Sequence, residues 1–247
     1  MKSHLFLLSL SCFFTSSLGL QAAIVYSENF DSLSLGSIDG QDGWSVINLN
    51  GTSAADVSNT EAQSGSQSLF MLDDDATNRP SAISDFGTDV NNGSFDFYVF
   101  PTSNNLWRID FTNSGGGSFN FSILAQGGSG NIRIQRQDTS EAGSIAASST
   151  SYATNTWNHF NIQVDDASGS GIVTLNGTEI LNISDPTVTW SIGRGLFSLG
   201  YNGGTGISTY YDTLTLATVP EPGQYAMIVS LFSFAVVGII RRKNTRK

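Results

Sequence analysis

The chain of 247 residues has one cysteine, Cys12, and no lysine between Lys2 and Lys243. Each shortage removes a class of chemistry. Beyond residue 12 there can be neither a disulfide framework nor a thiolate nucleophile or zinc–thiolate site. Without lysine, Schiff-base and lysine-base mechanisms are also missing from that stretch. Eleven basic residues stand against 21 acids, a net charge of −10. This excess of acid argues against nucleic-acid binding, which needs clustered basic side chains to meet the phosphates. Only 13% of residues are charged while 11% are aromatic, the reverse of a disordered composition. What remains between two apolar ends is one domain's worth of chain, enough for one sizeable core.

The ends read as processing and sorting segments. Residues 1–22 follow signal-peptide order, with Lys2 as the positive start, an apolar stretch over 5–14, and Leu20-Gln21-Ala22-Ala23 offering small residues to a signal peptidase. The apolar run is far short of the ~20 residues of a membrane span. Ser9 stands where a lipoprotein would have leucine three residues before Cys12, so the mature chain is expected to hold no cysteine. At the other end, Val219-Pro220-Glu221-Pro222 precedes an apolar run over 225–240 and a basic tail over 241–247 that opens with Arg241, Arg242 and Lys243. Sixteen helical residues span about 24 Å, enough for a transmembrane helix with snorkelling arginines, and the basic cluster marks the cytoplasmic side.

A Pro-Glu-Pro triplet, a short apolar helix and a terminal arginine cluster, in that order, resemble the PEP-CTERM sorting signal of Gram-negative bacteria. The resemblance covers residues 219–247. It implies recognition by an exosortase, a membrane-embedded cysteine transpeptidase, transient anchoring in the inner membrane, and delivery to the cell surface or extracellular matrix. The alternative is an ordinary single-pass anchor.

Residues 23–218 carry Arg79, Arg108, Arg133, Arg136 and Arg194 against 20 acids, five minus twenty giving −15. Such a surface suits an extracellular protein, whether it holds divalent cations or is only soluble. Phe95, Phe97 and Val99 alternate with Asp96 and Tyr98; Trp107, Ile109 and Phe111 with Arg108 and Asp110; Phe119, Phe121 and Ile123 with Asn120 and Ser122. This is the period of half-buried strands. Gly115-Gly116-Gly117 and similar clusters mark turns between them. No helical period persists and nothing repeats at a fixed spacing, so the expected fold is all-β, a single jelly-roll β-sandwich over 23–218.

Asn176-Gly177, between two alternating apolar runs, calls for a type I′ hairpin. Together with Trp157-Asn158-His159-Phe160-Asn161-Ile162-Gln163-Val164-Asp165 before it, the hairpin is similar to the strand pair of laminin-G-like domains in the concanavalin A-like superfamily. Glu28-Asn29-Phe30-Asp31 and Tyr210-Tyr211-Asp212-Thr213-Leu214 look like the opening and closing strands of such sandwiches. The resemblance implies sugar or matrix binding, and in related modules a structural calcium ion. Asp31 and Asp212 are the candidate calcium ligands, because a sandwich brings its first and last strands together; the alternative is two solvated aspartates. Asp73-Asp74-Asp75 is expected either open to water or cation-bound.

Glucanases of the superfamily carry Glu-x-Asp-x-x-Glu on one strand so that two carboxylates share a face, and no such run occurs here. His159, the only histidine beyond the leader, sits alone on a strand. A catalytic role is therefore not expected, and a divergent polysaccharide-degrading enzyme is the third reading. Trp44, Trp107, Trp157 and Trp190 are the residues able to stack on sugars, although Trp107 and Trp157 open apolar strand faces and are expected in the core. Arg108 with Asp110, and Arg133 with Gln135, fall on the opposite strand faces and are the candidate ligand-binding residues of a concave surface; the alternative is a surface salt-bridge lattice. The sequence thus reads as an exported, non-catalytic β-sandwich that binds extracellular polysaccharide or matrix, or else as a purely structural envelope protein. Replacing Pro220-Glu221-Pro222 by alanines should leave the chain unprocessed in the membrane fraction; normal maturation in an immunoblot shows that the tail is only an anchor.

Overall fold

The alternation that marks strands in the sequence is what builds the two sheets. The computed structural model describes residues 22–75, 79–104, 106–117, 119–125, 129–136, 143–199 and 206–219. Apart from Ala22 and Val219, the expected signal peptide and the whole sorting segment, Pro220-Glu221-Pro222 included, lie outside these. Among the described residues no helix is long and apolar enough to cross a membrane. Residues 23–219 form one compact unit.

In chain order the strands are β1 (Ala23–Glu28), β2 (Gly36–Ser37), β3 (Ser45–Ile47), β4 (Ala54–Ser58), β5 (Ser68–Asp73), β6 (Ser81–Val90), β7 (Asn92–Pro101) and β8 (Trp107–Thr112). There follow β9 (Phe119–Ala125), β10 (Asn131–Arg136), β11 (Gly143–Ser151), β12 (Asn158–Asp165), β13 (Ser170–Leu175), β14 (Thr178–Ser184), β15 (Ile192–Leu199) and β16 (Ile207–Thr218). A nine-stranded sheet runs β14-β13-β12-β7-β16-β5-β4-β2, with β1 paired to β16; a seven-stranded sheet runs β11-β10-β9-β8-β15-β6-β3. All pairs are antiparallel. The chain crosses repeatedly from one sheet to the other, as expected of a β-sandwich. The β13–β14 turn has the expected hairpin, with φ of 51° at Asn176 and 78° at Gly177, because a type I′ turn needs both residues left-handed.

The core lies between the sheets and is dominated by aromatics. Phe97 stacks on Phe160 within the nine-stranded sheet at 5.3 Å and 11°. Across the gap, Trp107 meets Phe160 edge-on at 5.2 Å, and Phe111 meets Phe95 edge-on at 5.4 Å. Such pairs add about 0.5–1.5 kcal/mol each beyond the area they bury, which matters in a domain without disulfides. Trp157 departs from expectation. Asn158, Phe160, Ile162 and Val164 point inward, so the residue just before Asn158 takes the outward phase, and Trp157 is half-buried on the outer face. Asn158 occupies the inward place, fully buried, its amide donating to the carbonyls of Ala153 and Thr156.

Gly171 on β13 faces inward, directly under the Trp190 ring, which a Cβ at that position would penetrate. Gly171→Ala should therefore overpack this corner at a cost of about 1–3 kcal/mol and lower the unfolding midpoint by roughly 2–4 °C per kcal/mol. A calorimetric scan with an unchanged midpoint contradicts the contact.

Candidate ligand-binding face

Strands β8 and β9 differ from the half-buried pattern that their alternation predicts. Every residue of β8 is buried, on both faces, and so are all residues of β9 after Phe119. Trp107, Ile109, Phe111, Phe121 and Ile123 fill the core, leaving Arg108, Asp110, Ser122 and Leu124 withdrawn from solvent on the outer face of the seven-stranded sheet. Register aligns them in rows. Arg133 of β10, Leu124 of β9, Arg108 of β8 and Ser198 of β15 lie side by side; below them come Gln135, Ser122, Asp110 and Leu196.

Arg108, only 6% exposed, donates through Nε to Asp110 and through Nη2 to Ser122 Oγ at 3.0 Å, while Ser122 Oγ donates to the same Asp110 oxygen. Burial pushes the Asp110 carboxyl up, and Arg108, Ser122 and Arg79 oppose this. A buried charge persists only when paired in this way. Arg133 differs: its Nε is buried without a hydrogen-bond partner. The candidate residues Arg108, Asp110 and Arg133 thus come together on one face, as the strand phase predicts. Arg194 stands on the same face beyond Leu196, where its charge acts on Asp85.

Asp31 and Asp212 are not joined as a cation cage. Asp31 Oδ1 accepts the amides of Ser66 at 2.7 Å and Gln67 at 3.1 Å. Asp212 Oδ2 accepts those of Gln63 at 2.7 Å and Ser64 at 3.0 Å, and its Oδ1 accepts the Thr213 amide at 2.6 Å. The lone pairs a calcium ion would need are turned toward N–H donors, and among the described residues no cluster of three or more acids and histidines forms. The pair does not fit calcium; it fastens the loop 63–67 to both ends of the domain. Gly65 has φ of 62° against the Asp31 carboxylate, where a Cβ would collide, so the tether requires glycine there. The acidic triplet also divides: Asp73 ends β5 buried, whereas Asp74 accepts from the Thr52 hydroxyl.

Other sequence candidates lie elsewhere. Trp44, Trp107 and Trp190 are in the core and present no face to a ligand. His159 is about one-third exposed on the outer face of the nine-stranded sheet, 3.1 Å from Asp96 and stacked on Tyr98. Glu28, Glu61 and Glu179 belong to that sheet or its loops, away from Arg108 and Asp110. Sequence reasoning missed a row of touching rings on the same outer face: Phe70 against Tyr210, Tyr210 against Phe100, and Phe100 against Trp157, at 5.0–6.0 Å. The available signal was Phe100 and Tyr98 on the outward phase of β7.

No protein-family model matches the chain, and no curated protein does. Among solved structures it is similar to the cellulose-induced protein Cip1, with a TM-score of 0.59 and 16% identity over 78% of this chain and 97% of that one. It is similar to the carbohydrate-binding module CBM66 from Bacillus subtilis, with a TM-score of 0.51 and 12% identity over 71% and 96%. Likeness to a sialidase, at a TM-score of 0.58 and 12% identity, covers 80% of this chain but 18% of that one, so the chain spans under a fifth of that enzyme's length. At such identities the likeness shows the fold, an all-β sandwich shared with carbohydrate-binding modules.

Burial raises the carboxyls of Glu28, Asp56, Asp73, Asp110 and Asp212. Three go the other way. Against its own burial, the amides of Gly87 and Gly115, the Ser114 hydroxyl and Arg194 hold Asp85 low, and hydrogen bonds from Ser168 and Thr187 lower the surface groups Asp165 and Asp185. A raised carboxyl binds its proton more tightly folded than unfolded, so its contribution to stability grows as pH falls toward the ordinary carboxylate range and is lost as pH rises through the folded value. Relief of the net negative charge acts in the same direction. The urea midpoint should therefore rise as the pH is lowered from neutral toward the ordinary carboxylate range; a midpoint that falls throughout contradicts the burial of these acids.

Proposed function

We propose that this protein is an exported glycan-binding β-sandwich without catalytic activity, sorted to the cell surface of a Gram-negative bacterium by its C-terminal segment. The observation that carries the binding reading is the Arg108–Asp110–Ser122 network, withdrawn from solvent on the outer face of a sheet, with the incompletely bonded Arg133 one strand beyond Leu124. Polar groups held in fixed positions orient a ligand, where a flexible surface lattice contributes little. CBM66 is named as a carbohydrate-binding module, and its likeness in fold supports the reading. The order of Val219-Pro220-Glu221-Pro222, apolar run and basic tail supports exosortase sorting, with release from the membrane by that enzyme.

Glycan-array binding of the mature protein tests this. Arg133→Ala should weaken capture of the bound glycan about tenfold or more, the size of one hydrogen bond to a charged group, while Trp157→Ala on the opposite outer face leaves it unchanged. The reverse pattern moves the site to the aromatic row, and an array with no binder favours a structural envelope protein.

A further inference from the structure

The charged residues of the two sheets are sharply segregated. The strands of the nine-stranded sheet hold seven acids, Glu28, Asp56, Asp73, Asp96, Asp165, Glu179 and Asp212, and no arginine or lysine. The strands of the seven-stranded sheet hold four arginines, Arg108, Arg133, Arg136 and Arg194, against three aspartates, Asp85, Asp89 and Asp110. The fifth arginine, Arg79, lies just before β6 and acts on Asp110. In a domain of net charge −15, every cation belongs to one sheet or its border.

The three aspartates of that sheet are already bonded within the protein. Asp110 accepts from Arg108 and Ser122. Asp85 accepts from the amides of Gly87 and Gly115 and the hydroxyl of Ser114, and Asp89 accepts from the Ser114 amide. The charged donors are not equally spent. Arg133 keeps its side-chain Nε buried without a hydrogen-bond partner; Arg108 uses only two of its guanidinium N–H groups on protein partners. Among the described residues of these strands, the outer face therefore has surplus charged donors and no free charged acceptor. A neutral sugar, whose hydroxyls donate as well as accept, would leave that surplus unmet, whereas an ionised carboxylate is acceptor-only and matches the guanidinium fork.

Resting on the glycan-binding reading above, we propose that the ligand of this face is an acidic polysaccharide whose carboxylates pair with Arg133, beside the buried Arg108–Asp110 pair. The two arginines are separated by the single strand β9, two inter-strand spacings or roughly 10 Å, with Leu124 between them as an apolar floor. A chain lying along β10 meets Arg133 directly, and the buried Arg108 adds its charge from beneath. The acid-only nine-stranded sheet repels the same polymer, so binding is confined to one face.

The test measures binding of the full-length protein, immobilised for interferometry, to polygalacturonate, alginate, carboxyl-reduced polygalacturonate, dextran sulfate and single-stranded DNA. The expected result is binding to at least one of the two carboxylated polymers, with carboxyl reduction or Arg133→Gln lowering affinity about tenfold or more, Arg133→Lys recovering part of it, and the unfolding midpoint of each variant unchanged. If neutral or carboxyl-reduced polymers bind as well as the acidic ones, or bind where the acidic ones do not, the glycan-binding reading stands and the carboxylate proposal is overturned. Equal or tighter capture of dextran sulfate or DNA also overturns it, in favour of general polyanion binding. If no polymer binds, both readings fail.

Discussion

Trp107 reaches across the interior to meet the paired rings of Phe97 and Phe160, and this inter-sheet aromatic contact carries the architecture. With no cysteine in residues 23–219, nothing covalent joins the two sheets. Their separation and registration depend on side chains that are large, stiff and buried at every second position. Once Trp107, Ile109 and Phe111 are committed to the core, the pleat sends Arg108 and Asp110 to the other face. The candidate site is thus a consequence of the packing, because a one-residue slip of β8 would exchange the two faces.

The second constraint acts at the chain ends. Strand β1 pairs with Leu214–Thr218 of β16, and Asp31 and Asp212, one from each end, seize neighbouring amides of the loop 63–67. Two residues beside these acids, Phe30 at φ 65° and Thr213 at φ 51°, adopt a left-handed backbone that is costly for an aromatic and a β-branched side chain. At Thr213 the surrounding bonds supply a reason: its amide and hydroxyl both reach Asp212, and its hydroxyl also meets Ser64 and Gln63. The tether does by hydrogen bonding what a metal ion or disulfide does in other small domains.

The sequence made some of this legible and hid the rest for identifiable reasons. Strands β7, β8, β9 and β12 announce themselves because aromatic and β-branched residues alternate with polar ones, and Asn176-Gly177 permits only one kind of short turn. Strand β11, Gly143–Ser151, has little but Ser, Ala and Thr and gives no periodic signal, while β6 is interrupted by Gly87 at φ 78°. Both are strands because their neighbours hold them, a tertiary effect beyond local pattern. The placing of Arg108, Asp110 and Arg133 on one outward face follows from strand phase alone. What Asp31 and Asp212 bind does not, since their partners are backbone amides that no residue type marks. Trp157 was misread as a core residue by one position of phase, because the inward place beside it is taken by Asn158, a polar residue whose hydrogen bonds are satisfied only in three dimensions.

The same phase argument links the charge of the domain to what it can hold. Acids are plentiful enough that chance alone would put them on every surface, yet those of the seven-stranded sheet are turned to internal tasks: Asp110 neutralises Arg108, and Asp85 and Asp89 secure the turn at Ser114 and Gly115. Arg133, whose Nε is buried without a hydrogen-bond partner, is partly withdrawn from water, so its attraction for an anion is screened less than the repulsion from exposed acids farther away. A domain can therefore be strongly acidic as a whole and still offer one locally cationic face. The net charge governs solubility and approach at long range, and the bonded state of each charged side chain governs what is held at contact.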